Sequence, residues 1–89
     1  MASPFVVCLD IGTSAVNAVV VEKRGGALIL RSIFKEPSQG MRRGVVVDLA
    51  DISQSVNRVF SKIKKFSRAA LKNVYISIGT SQIKTQTSR

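Results

Sequence analysis

Val7-Cys8-Leu9-Asp10-Ile11-Gly12-Thr13-Ser14 is the stretch on which the fold turns. Phe5 to Leu9 is a continuous apolar run closed by Asp10, and such a run reads as a strand buried on both faces. A strand that ends in Asp-x-Gly-Thr and turns straight back makes a tight backbone loop. Gly12 lets that loop approach a phosphate closely, and successive amides with the hydroxyls of Thr13 and Ser14 can donate to phosphate oxygens. Asp10 stands at the strand end, where it could hold a hydrated Mg²⁺; this ion favours one or two carboxylates plus retained water. The competing reading is a plain β-turn with an acid at its edge. An internal copy bears on that choice: Ile78-Gly79-Thr80-Ser81 repeats Ile11-Gly12-Thr13-Ser14, with Ser77 where Asp10 stands. Gly-Thr-Ser therefore serves as a turn without an acid, and the carboxylate and the wholly apolar strand before it set the first copy apart.

Outward from this motif the chain divides in two. Val16 to Val21 is rich in β-branched residues, Gly25-Gly26 permits a hairpin turn, and Ala27 to Phe34 reads as a third strand. Lys35 to Gly44 reads as a loop, broken by Pro37, Ser38, Gly40 and Gly44, and Val45-Val46-Val47 as a short strand. The spacing then becomes helical. Leu49, Ile52, Val56, Val59, Phe60, Ile63, Phe66 and Ala70 follow i, i+3, i+4 and i+7 steps, with Asp48 placed as N-cap. Arg58, Lys62, Lys65 and Arg68 occupy the opposite, solvated face. Val74 to Ile78 alternates as a half-buried strand, Gly79-Thr80-Ser81 turns the chain, and Gln82 to Ser88 reads as an edge strand that Lys84 and Arg89 protect from further pairing. The predicted class is α+β: a β-β-β meander over 1–40, then a β-α-β-β unit over 41–89.

Composition narrows the chemistry. The chain has 89 residues, a single cysteine and no histidine, so neither an internal disulfide nor a Cys/His metal cluster can form. Cys8 lies mid-strand and reads as a buried, inert thiol, and Tyr75 as a ring packed on the sheet. The N-terminus lacks the basic and long apolar regions of a signal peptide, and no stretch approaches the ~20 apolar residues of a membrane span, so a soluble, reducing setting is expected. The net charge of +9 raises nucleic acid or anionic lipid as partners. With no nucleic-acid motif beside it, a basic segment whose acidic counterpart lies elsewhere is the simpler reading.

The motif Val7 to Ser14 resembles the first phosphate motif of the actin, Hsp70 and sugar-kinase superfamily. Within it the FtsA branch is most similar, through Pro37-Ser38-Gln39-Gly40-Met41-Arg42-Arg43-Gly44-Val45-Val46-Val47-Asp48-Leu49, the helix after it, and Val74 to Gly79. The resemblance implies that 1–40 opens the ribonuclease-H-like subdomain 1A, and that 41–89 is an incomplete strand-helix-strand-strand unit, the SHS2 fold of subdomain 1C. It implies an ATP-binding, actin-like cell-division scaffold, with Asp10, Gly12, Thr13 and Ser14 at the nucleotide and Asp10 reaching Mg²⁺ through water. Ala15 and Asn17 stand where many relatives carry Lys or Arg. The family's partners are FtsZ-type and other division proteins and further copies of itself, at the inner face of the membrane at midcell, with the membrane reached through a separate amphipathic helix. No turnover is expected from this chain alone, since phosphoryl transfer also needs a base or water-positioning group. The alternatives are a PilM-type pilus-assembly protein and a small basic nucleic-acid-binding domain.

Overall fold

The computed structural model describes residues 4–79 and the backbone of Gln82–Thr87. Strands β1 (Phe5–Ile11), β2 (Ala15–Arg24) and β3 (Ala27–Pro37) form the expected antiparallel meander. Gly25 and Gly26 make the β2–β3 turn with φ of 57° and 81°, the left-handed pair that a two-residue hairpin asks for. Next come β4 (Met41–Arg42) and β5 (Val45–Val46), the helix α1 (Leu49–Phe66), a 3-10 turn over Arg68–Lys72, β6 (Asn73–Ile78) and β7 (Gln82–Thr87). The α+β class and the strand-helix-strand-strand order over β5, α1, β6 and β7 are both present.

Five strands join in one sheet of order β3-β2-β1-β6-β7. β6 runs parallel to β1, and β7 pairs antiparallel at the edge, as expected for Gln82 onward. Of the expected Gly79-Thr80-Ser81 turn, Thr80 and Ser81 lie outside the described residues, as do the side chain of Lys84 and the whole of Arg89.

α1 covers one face of this sheet. Val7, Leu9, Ile11, Val16, Ala18 and Val20 point toward it and are buried against Ile52, Val59 and Ile63, with Met41, Ala70 and Val74 closing the core. Each large side chain so buried contributes about 1.5–3 kcal/mol. The other face carries Cys8 and Asp10 in the open. β1 is thus buried on one face only, and Cys8, expected inside, is exposed. Its apolar sequence is that of a two-sided strand, but α1 reaches one side. Tyr75 shares the open face and is 43% exposed.

Around the helix the local chemistry departs from the sequence reading at several places. Asp48 is the N-cap as expected; its Oδ1 accepts from the Asp51 N–H at 3.0 Å. The helix closes at Phe66, and Ala70 falls in the 3-10 turn beyond it. Leu49 lies outside the core, 72% exposed, while Ser55 takes a fully buried place on the inner face. β3 runs on to Pro37, so part of the expected loop is strand. Val45 and Val46 pair back on Met41 and Arg42 through a turn whose central residues, Arg43 and Gly44, have φ of 52° and 77°. Arg58 and Lys62 are not simply solvated: both reach Glu36 on β3, Arg58 through Nε at 3.2 Å. Among the described residues no helix is long and apolar enough to cross a membrane.

Candidate functional site

The parallel pairing of β1 and β6 places the starts of the two repeats, Ile11 and Ile78, side by side. Asp10 is opposite Ser77 and Ile11 opposite Ile78, so Gly12 and Gly79 follow the two strands at the same level. On its other side Asp10 faces Asn17 of β2. The three polar residues form one row across β2, β1 and β6 at the carboxyl end of the parallel pair. Behind this row lies a shallow depression of about 240 Å³ on the open face, walled by Cys8, Val19 and Tyr75. Asp10 is exposed there and does not point into the core.

The turn itself is tied down. The Gly12 N–H donates to the Ala15 carbonyl at 3.0 Å, which closes the loop. The Ser38 N–H donates to the Ser14 carbonyl at 3.0 Å, and the Gly79 N–H donates to the Ile11 carbonyl at 3.1 Å. Thr13 Oγ1 accepts from the Gly44 N–H at 2.9 Å. Gly44 and Gly79 meet backbone to backbone: a Cβ on Gly79 would lie 2.7 Å from the Gly44 carbonyl oxygen. The turn after β1, the β4–β5 turn and the end of β6 therefore form one cluster, in which Thr13 is the side-chain link.

All four sequence-predicted residues lie in this cluster, in differing states. Asp10, Thr13 and Ser14 are exposed. The Gly12 amide is already used within the turn, so it is not a free donor in this arrangement. Anion recognition would rest on the hydroxyls of Thr13 and Ser14; Thr13 accepts from Gly44 and keeps its own proton to donate. Among the described residues no group of three or more carboxylate, thiol or imidazole side chains could hold a metal. A magnesium ion fits only as a hydrated ion on the single Asp10 carboxylate, completed by a ligand's oxygens.

Asn17 and Ser77 are the members that the sequence did not single out for this site. The repeat of Ile-Gly-Thr-Ser was the available signal for Ser77, since two equal strand ends are natural neighbours in a parallel pair. In the sequence Asn17 stands out only as a departure from the Lys or Arg of many relatives; the hairpin register brings it to Asp10.

No protein-family model matches the chain. Curated proteins do. The cell division protein FtsA of Pseudomonas aeruginosa is 32% identical over 84 residues, which cover 93% of this chain and 20% of that protein. FtsA of Streptococcus pneumoniae serotype 2 is 29% identical over 70 residues, 79% of this chain and 15% of the relative. FtsA of Bacillus subtilis is 26% identical over 80 residues, 90% of this chain and 18% of the relative. The chain thus spans about a fifth or less of the length of the relatives it matches. These matches bear out the FtsA resemblance read from the motif and from the segment after it.

Proposed function

We propose that this chain, as a segment of an FtsA-type cell-division protein, forms one lip of a cleft for ATP and magnesium with its Asp10–Ser14 turn. The observation that carries the reading is the exposed Asp10 carboxylate at the carboxyl end of β1, beside the parallel strand β6. Ligands of open sheets with parallel strands bind outside those ends. Magnesium-bound ATP brings phosphate charge and a hydrated ion. Asp10 orients the water on that ion, and the Thr13 and Ser14 hydroxyls donate to the phosphate oxygens. The segment binds and positions; a base for phosphoryl transfer comes from elsewhere in the assembled cleft.

In the whole protein, 1–40 together with β6 of the same sheet belongs to the nucleotide-binding subdomain, and the remaining surface of 41–89 supplies contacts to further copies and to FtsZ-type division partners at the membrane at midcell. The relatives' names support division as the setting. The test is a chimera: Pseudomonas aeruginosa FtsA with its matching segment replaced by this chain, titrated with a fluorescent ATP analogue and magnesium. Asp10→Ala in the chimera is expected to weaken binding by about tenfold or more, the loss of a charge-assisted contact. Unchanged affinity in that variant overturns the reading.

A further inference from the structure

The opposite end of the molecule, where β1 begins, gathers exposed cations from the β2–β3 hairpin, the end of α1 and the 3-10 turn. The Lys23 N–H donates to the Pro4 carbonyl at 2.8 Å and Phe5 pairs with Glu22, so the β2–β3 turn projects past the start of β1. The last turn of α1 arrives at the same place, because Phe66 meets Phe5 edge to face with ring centroids 5.8 Å apart. The 3-10 turn follows directly, and Asn73 Nδ2 donates to the Phe5 carbonyl at 3.4 Å. One pole therefore carries Lys23, Arg24, Lys64, Lys65, Arg68 and Lys72, all exposed.

Their charge is poorly balanced. Glu22, the carboxylate at this end, is shared by Arg24 at 3.7 Å and Arg31 at 3.1 Å. Among the described residues Lys64, Lys65, Arg68 and Lys72 have no ion-pair partner. Lys64, Lys65 and Arg68 border a shallow recess of about 310 Å³ with Ser61. A helix C-terminus favours a cation or so in its last turn. That effect does not account for cations drawn from the hairpin, the helix and the 3-10 turn together. On β3, where Leu28 pairs with Lys23 and Leu30 with Val21, Leu28 is 69% and Leu30 57% exposed.

We propose that this pole is a peripheral docking surface for an anionic lipid bilayer. Lysine and arginine near such a surface each contribute about 1 kcal/mol. Exposed leucines on the strand that leaves a protruding hairpin suit the boundary between headgroups and acyl chains. A single-stranded nucleic acid would ask for an open aromatic platform, and Phe5 and Phe66 are engaged edge to face with each other. A protein interface is depleted in lysine at its centre, which this pole is not. The contact uses residues of this chain only, distinct from the amphipathic helix that the family resemblance implies, and it points the Gly12 turn away from the bilayer.

The experiment is co-sedimentation of the chain with phosphatidylcholine vesicles, with and without phosphatidylglycerol. Binding is expected only with phosphatidylglycerol, weakening as salt rises. The triple variant Lys64→Gln, Lys65→Gln, Arg68→Gln should bind on the order of a hundredfold more weakly. Leu28→Asp should remove the binding that persists at high salt. Helix content by circular dichroism checks that these surface variants fold. Equal binding to neutral vesicles, no binding to either, an unchanged triple variant, or full displacement by duplex DNA each overturns the proposal. Since no nucleotide is involved, its failure leaves the ATP-cleft reading untouched.

Discussion

Ser55 is a hydroxyl in a place where helical spacing asks for an apolar side chain. It is fully buried, donates to the Asp51 carbonyl at 3.2 Å, and accepts from the Gln39 N–H at 3.1 Å and from Arg58 Nη2 at 3.2 Å. Ser55→Ala strands the Gln39 amide. Urea denaturation should show a loss of about 1–3 kcal/mol. One residue further along the loop, Gly40 has φ of 92°, and a Cβ there would collide with the Asp48 carbonyl and lie 2.7 Å from the Ile52 nitrogen. Neither obstacle is a flexible side chain. Gly40→Ala should therefore cost about 3 kcal/mol or more in the same measurement, well beyond an ordinary surface change. Gly40 was legible as a breaker, because glycine between two patterned segments marks a turn. Ser55 was not, because its main partner is a backbone amide 16 positions earlier, and serine on a helix otherwise reads as solvent-facing.

At the scale of elements, the helix and the meander follow local rules, and their contacts do not. The N-cap, the apolar stripe and the glycine hairpin could be read because each depends on near neighbours. The cationic stripe is exposed as expected, but the sequence did not show that Arg58 and Lys62 share a carboxylate partner on β3. Glu36 ties α1 to the sheet through both. Its carboxyl is held below the ordinary value of 4.5, chiefly by the hydrogen bond from Lys62 and by that cation's field, with Arg58 adding; partial desolvation opposes them. A lowered folded-state pKa stabilises the fold above the unfolded value, and this contribution is lost as pH falls from about 4.5 through the lower folded one. The urea midpoint should therefore drop over that acid range, and Glu36→Gln should flatten the drop. High salt should shrink the difference, because the partners are part-exposed and screened.

Across the whole molecule the decisive fact is a sheet with one covered face. Cys8, Val19, Ile33 and Tyr75 stand in one register row on the bare side. The sequence announces an apolar strand but not how many layers will lie against it, so the fold class was legible and the exposure of Cys8 was not. A thiol reagent such as dithionitrobenzoate should modify Cys8 in the native chain at nearly the rate of a free thiol, with little acceleration in urea. A reaction that waits for unfolding would show that this face is closed. The candidate site follows the same division: Asp10 to Ser14 could be read from one local motif, whereas Asn17, Ser77 and the Thr13–Gly44 link are products of register and long-range approach. The pairing that creates them also sets an order of events. Val7 meets Val74, 67 positions later, while its other neighbour, Val20, belongs to the adjoining hairpin. Closing so long a loop is slow beside forming a hairpin. The meander must then assemble first with the flank of its innermost strand unguarded, and a ribosome releasing this polypeptide leaves that flank open to stray strands until the residues of β6 have emerged.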